Sequence, residues 1–130
     1  VRLLLDTHVW LWMQAAPRRL GEQATALVSD PSNTLLLSAA SSWEIAIKYA
    51  LGRLDLPEPP TSYVPDRMRR NGVEGLAVHH THALAVASLP PHHRDPFDRL
   101  LVTQAASEHL VLLTSDPVFE RYGVERRWAG

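Results

Sequence analysis

Apolar residues follow two rhythms along this chain. RLLLD (2–6), NTLLLSAAS (33–41) and VLLTSDP (111–117) are short continuous apolar runs closed by polar residues, the pattern of strands buried on both faces. VEGLAV (73–78) is a weaker run of the same kind, and VERRW (124–128) is a candidate last strand. Between them the rhythm becomes helical. HVWLWM (8–13) is apolar nearly all the way round, and GEQATALVSDP (21–31) predicts a helix closed by Asp30-Pro31. SSWEIAIKYALGRL (41–54) places Trp43, Ala46, Ile47, Ala50 and Leu51 at helical spacing, with Gly52 as C-cap. DLPEPPTSYVP (55–65) predicts a Pro-rich loop, followed by a short helix in DRMRRNG (66–72) that ends at Asn71-Gly72. THALAVASL (81–89) is a small-residue helix stopped by Pro90-Pro91, DPFDRLLVTQAASEHL (95–110) a helix with Phe97, Leu101 and Ala105 on one face, and VFERYG (118–123) a helical turn. Strands alternating with helices predict an α/β fold, a mainly parallel sheet with helices on both sides. With no repeat, low-complexity stretch or dividing linker, the expectation is one domain over residues 1–130.

Composition narrows the setting. A chain of 130 residues and 14.5 kDa is long enough for one core and too short for two ordinary ones. It has no cysteine, which excludes a disulfide framework and a Cys-based zinc site. The apolar runs are far shorter than the roughly 18 to 20 residues of a membrane span, and no export leader is recognisable, so a cytoplasmic protein without a membrane partner is expected. The net charge of −1 gives no bulk field to attract nucleic acid. All basic residues but Lys48 are arginines, a bias that a GC-rich genome explains better than phosphate binding. The clusters Arg67, Arg69, Arg70 and Arg126, Arg127 read as solvated faces.

Candidate chemistry lies in the acids. In HRDPFDRLL (93–101), Asp95 suits an N-cap, Pro96 the first helical position and Asp98 the third, so capping alone explains both carboxylates. Three further acids have similar explanations: Asp6 at the end of the first strand, Glu44 in a capping box with Ser41 and four residues before Lys48, and Asp116 ahead of Pro117. Strand C-termini and the following helix N-termini of a parallel sheet share one edge, however, so Asp6, Glu44, Asp98 and Asp116 are expected together. Carboxylates about 4 Å apart repel by roughly 4 kcal/mol per pair at an effective dielectric of about 20 unless protons or a cation compensate. An all-oxygen cluster suits Mg²⁺ or Mn²⁺. The histidines of HHTH (79–82) and His92-His93 lack the spacing of a zinc motif, and the glycine patterns of dinucleotide, P-loop and serine-hydrolase sites are absent. A haloacid-dehalogenase-type phosphatase requires a second Asp where this chain has His8.

With these acids placed, LLLDTHVWLW, SAASSWEIAIK, HHRDPFDRLLVTQA and LLTSDPVFERYGV together resemble PIN-domain ribonucleases, and closely the VapC toxin branch of bacterial toxin–antitoxin systems. The resemblance implies a single PIN-like three-layer α/β/α domain and metal-dependent endonucleolytic cleavage of RNA. It places Asp6, Glu44, Asp98 and Asp116 on the family's four acidic positions, as catalytic residues and ligands of Mg²⁺ or Mn²⁺. Thr7 and Thr114 match positions that often bear a hydroxyl, and Asp95 is expected to be the helix cap rather than a ligand. Arg94 or Arg99 is a candidate for holding RNA phosphates, Arg99 equally for a surface ion pair. The resemblance also implies a cognate antitoxin and a toxin homodimer, and no direct DNA binding, which belongs to the antitoxin. Trp10, Trp12 and Met13 either face such a partner or complete the core. The alternatives are a housekeeping RNA-processing nuclease and a catalytically silent module that binds RNA or protein.

Overall fold

The computed structural model describes residues 1–130. Five strands form one wholly parallel sheet: β1 (Arg2–Leu5), β2 (Thr34–Ser38), β3 (Val73–Leu76), β4 (Val111–Thr114) and β5 (Arg126–Trp128), in the order β3-β2-β1-β4-β5. The helices are α1 (Thr7–Ala15), α2 (Glu22–Ser29), α3 (Ala39–Ala50), α4 (Pro60–Asn71), α5 (His80–Ala85) and α6 (Pro96–Ser107), with 3₁₀ turns at Pro17–Arg19, Val86–Ser88 and Pro117–Tyr122.

The leucine runs form strands because both faces of the sheet are covered. Leu3, Leu5, Leu35, Leu37, Val111 and Leu113 pack on one face with Val9, Trp10, Ala24, Ile45 and Tyr63. Leu4, Leu36 and Leu112 point the other way, against Leu101, Val102, Ala105 and Phe119. This period-two division within continuous apolar runs is the mark of a three-layer α/β/α sandwich. The chain winds outward from β1 through β2 to β3, then returns to β4 on the other side of β1. The carboxyl ends of β1 and β4 therefore flank a topological switch point, the crevice where open α/β sheets bind ligands.

Four expectations need correction. The loop over 55–65 gives way at Pro60, where α4 begins. Pro60 occupies the first helical turn at no hydrogen-bond cost, whereas Pro65 lies inside the helix. The penalty of about 3 kcal/mol for an interior proline is opposed by burial of Tyr63 and Val64, Tyr63 meeting Trp10 edge-on with ring centroids 6.1 Å apart. The second correction concerns α3, which begins at Ala39 and is capped by Ser38, whose Oγ accepts from the Ala40 N–H at 3.0 Å. Ser41 and Glu44 are thus buried inside the helix rather than in a capping box at its start. Third, α3 turns Ala40, Ser41, Glu44 and Ile45 inward and leaves Trp43, Ala46, Ala50 and Leu51 exposed. The apolar stripe read from the periodicity is on the solvent side, because the opposite face carries a residue the sheet edge requires. Fourth, the segment 81–89 divides into α5 and a 3₁₀ turn.

Trp10 is wholly buried and Met13 packs against the same core, while Trp12 carries the Arg19 guanidinium 4.7 Å from its ring centroid. Trp10 and Met13 thus serve the core, while Trp12 lies half-buried outside it, beneath Arg19. At the end of α4, Gly72 adopts φ +65° and its N–H reaches back to Arg69 and Met68 carbonyls. Gly72→Ala meets no steric obstacle but forces a side chain into the left-handed region. The expected cost is about 1 kcal/mol, read as a lower denaturant midpoint with an unchanged slope.

Candidate metal centre

The four acids arrive at the carboxyl edge of the sheet from four different elements. Asp6 follows β1 and holds the N-cap position of α1, yet its side chain makes no capping bond. Asp6 Oδ2 instead accepts from Thr114 Oγ1, at the end of β4, at 2.7 Å. Glu44 projects from the buried face of α3, its Oε2 2.5 Å from Lys48 Nζ. Asp98 lies in the first turn of α6, and Asp116 follows β4. Asp116 does cap, its Oδ1 accepting from the Val118 N–H at 2.9 Å, and its own N–H donates to Thr114 Oγ1 at 3.0 Å. Thr114 therefore ties two of the acids together. Thr7 Oγ1 donates to Ser41 Oγ at 2.7 Å, joining α1 to α3 beneath the site.

Capping thus accounts for Asp95 and Asp116 but not for the other three. Asp95 Oδ1 accepts from the Phe97 N–H at 2.8 Å and starts α6. Asp98 has a different situation. Burial first, then the charges of Asp95, Asp6, Glu44 and Asp116, push its carboxyl up to about 8. Burial also raises Asp6, opposed by the Thr114 hydrogen bond and His8, and reinforced by Glu44 and Asp116. Each of these two acids feels the other cluster members, so the four carboxylates share one electrostatic site. Lys48 neutralises only the Glu44 side of it.

Buried carboxylates held above their usual range have too little positive charge nearby. A divalent cation would supply it, and an all-carboxylate donor set favours a hard ion such as Mg²⁺ or Mn²⁺ over a soft one. Ligand atoms of Asp98 and Asp116 lie within 4.8 Å of one another and of a His93 ring nitrogen, whereas Asp6 and Glu44 fall outside that group and join it through the charge they exert on Asp98. The chemistry of these acids fits a divalent cation.

A family model described as the PIN domain matches residues 3–125. The chain belongs to the PIN-domain family. Within it, the chain is similar to VapC proteins of Mycobacterium tuberculosis. It is 30% identical to Ribonuclease VapC22 over 117 residues, 88% of this chain and 86% of that protein. It is 60% identical to Ribonuclease VapC16 over 60 residues, which span 46% of this chain and only 43% of that relative. Among solved structures, the fold resembles VapBC2 from Rickettsia felis bound to a promoter DNA fragment, with a TM-score of 0.74 and 16% identity over 100% of both chains. It also resembles DNA-bound VapBC from Salmonella typhimurium, with a TM-score of 0.69 and 20% identity over 98% of each chain.

Two residues of this PIN domain have roles that sequence reasoning did not assign. His93, set aside with the other histidines because no zinc spacing surrounds it, places Nε2 2.8 Å from Asp116 Oδ2. Arg99, a candidate for RNA phosphate or a surface ion pair, makes no ion pair. Its guanidinium donates to the carbonyls of Val86, Leu89, Pro90 and His93 at 3.0 to 3.3 Å, gathering the segment ahead of α6. The only local signal was that both lie within HHRDPFDR. Arg94 is exposed and precedes Asp95 in the chain. The other arginine clusters are ion-paired, Arg67, Arg69 and Arg70 around Asp66, Arg126 with Glu120 and Arg127 with Glu125.

Proposed function

We propose that this PIN domain, extending over residues 1–130, is a metal-dependent endoribonuclease and the toxin of a toxin–antitoxin pair. Asp6, Glu44, Asp98 and Asp116 are its ligands for Mg²⁺ or Mn²⁺. The observation that carries this reading is the arrival of four carboxylates from four elements at one sheet edge, with Asp98 pushed up to about 8 by burial and then by the charges of its acidic neighbours. The kinship with two proteins named Ribonuclease VapC supplies the reaction class.

A bound divalent cation supplies charge neutralisation at the scissile phosphate and eases deprotonation of the attacking water. The protein supplies the rest. Thr114 fixes Asp6 and the Asp116 backbone, Lys48 holds Glu44, and a carboxylate of the cluster accepts the water's proton. Arg94, exposed and next to Asp95 in the chain, contacts the RNA backbone, which positions the chain without reading its sequence.

An antitoxin inhibitor and a toxin homodimer complete the proposal, and the solved relatives are VapBC complexes. One apolar surface open to a protein partner is the outer side of α3 and its C-cap, where Trp43 is 59% and Leu51 61% exposed. Beside it, Ala46 lines an apolar groove with Val64, Pro65 and Met68 of α4. No helix is long and apolar enough to cross a membrane, and the proposed setting is cytoplasmic.

The test is cleavage of structured RNA by antitoxin-free protein with Mg²⁺ or Mn²⁺, with EDTA, and by a folded Asp6→Asn variant. Cutting that needs the cation and disappears in the variant is the expected result. Cutting by the variant at the wild-type rate refutes the assignment of the site, and no cutting by either protein favours a silent binding module.

A further inference from the structure

We propose that His93 is a positioning residue for this centre, fixing the Asp116 carboxylate through an Nε2–H donor. The inference rests on the reading of the four acids as a cation site. It goes beyond that reading by assigning a built device to a residue outside the set of acids.

For a neutral ring, the hydrogen-bond partners assign the proton to one nitrogen. The His93 backbone N–H donates to the Tyr122 hydroxyl at 2.8 Å, and the same hydroxyl lies 3.0 Å from His93 Nδ1. A phenol oxygen that accepts from the backbone still has its own hydrogen to give, and Nδ1 is the acceptor in reach. Nδ1 then holds a lone pair and the ring hydrogen sits on Nε2, 2.8 Å from Asp116 Oδ2. The opposite tautomer would set an imidazole lone pair against a carboxylate oxygen. The relay therefore runs from Tyr122 O–H to Nδ1, and from Nε2–H to Asp116.

Everything around the ring holds it in this pose. His93 lies parallel to the Tyr122 ring, with an interplanar angle of 4°, and packs on Phe119 at 4.5 Å between centroids. Its side chain is only 9% exposed. Its backbone carbonyl is one of the four gathered by Arg99. Asp116 is thus held on one oxygen by the Val118 N–H and on the other by His93, which leaves its remaining lone pairs directed by two fixed donors. This gives HHRDPFDR a part-by-part account: His93 orients Asp116, Asp95 caps α6, Asp98 joins the acids, and Arg99 clamps the segment that carries His93.

The nearest competitor is His93 as a direct ligand, since a ring nitrogen lies within 4.8 Å of the Asp98 and Asp116 oxygens. A ligand nitrogen must be free of hydrogen, so the two roles require opposite tautomers. ¹⁵N NMR of the ring in metal-free and Mg²⁺-saturated protein separates them. The expected spectrum shows hydrogen on Nε2 in both states; its loss from Nε2 on Mg²⁺ addition overturns the proposal in favour of ligation.

The companion experiment is Mn²⁺ titration, by calorimetry, of folded wild type, His93→Ala, His93→Gln, Tyr122→Phe and Asp98→Asn. His93→Ala is expected to weaken Mn²⁺ binding roughly 10- to 100-fold, the usual effect of removing a group that orients a ligand. His93→Gln, which keeps a donor N–H, is expected to recover part of that loss. Tyr122→Phe keeps the stacked ring but breaks the relay and is expected to fall between them, so the test stands even where His93→Ala fails to fold. Wild-type affinity in both His93→Gln and Tyr122→Phe, with no recovery pattern, reduces His93 to a packing residue. Absence of Mn²⁺ binding by the wild type, or retention by Asp98→Asn, instead overturns the cation-site reading and the inference with it.

Discussion

Asp98→Asn is expected to abolish RNA cleavage while making the metal-free protein more stable. The two effects have one cause. Asn matches the shape of the protonated acid but carries no charge, so on the proposed assignment it removes a ligand oxygen from the cation and a repelling carboxylate from the cluster. Loss of catalysis is expected to be at least about a hundredfold, at or beyond what losing one electrostatic contact to a transition state costs. The stability gain at pH 8.5 in EDTA is smaller, on the order of 1 kcal/mol or a few degrees of melting temperature, after allowance for partial exposure of the group. Natural active sites commonly trade stability for function in this way. The prediction separates the two explanations of the residue. A first-turn acid that only complements the helix dipole would lose stability on neutralisation, by about 0.3 to 1 kcal/mol, and would leave cleavage intact. Melting curves in EDTA beside cleavage rates in Mn²⁺ read both effects on the same preparation.

The leucine runs made the sheet legible because burial on both faces leaves a continuous apolar stretch that few other structures produce. RLLL, TLLLS and VLLT are strands where the leucine runs lie, although the second and third end three residues short of the stretches 33–41 and 111–117, because α3 already begins at Ala39 and β4 stops at Thr114. The parallel topology also followed, and with it the delivery of four acids to one edge. What remained hidden involves residues whose partners are distant in sequence. Pro65 suggested a loop because its cost is local, whereas the compensating burial of Tyr63 against Trp10 is 53 positions away. The orientation of α3 was misleading for a related reason. Periodicity identifies the most apolar face, but Glu44 and Ser41 must face inward to meet Asp6 and Thr7, and that requirement outweighs the stripe of Trp43, Ala46, Ala50 and Leu51. His93 carries no local signal of its role, since no ligand motif surrounds it in the chain. Its partner Asp116 is 23 residues on, and Tyr122, which sets its tautomer, 29.

The pH dependence of the metal-free protein is expected to run opposite to that of a protein held together by ordinary ion pairs. A carboxyl in the unfolded chain titrates at about 3.9, whereas Asp98 in the folded protein titrates at about 8. Between these values the folded state holds a proton that the unfolded state has released, so stability decreases as pH rises. The contribution is fully present below the unfolded value, declines across the window and is lost once pH passes about 8. Asp6, also raised by burial, acts in the same direction. Cation binding reverses the slope, because the ion must displace the Asp98 proton: apparent affinity for Mn²⁺ rises by up to about tenfold per pH unit until the carboxyl is ionised, then levels off. The stabilisation conferred by a fixed Mn²⁺ concentration is therefore expected to be larger at pH 8 than at pH 6, while in EDTA the melting temperature is higher at pH 6. Asp98→Asn is expected to flatten much of the EDTA profile. A wild-type profile in EDTA that rises from pH 5 to pH 8 would show that Asp98 ionises freely without the cation, and the electrostatic basis of the site would have to be sought elsewhere.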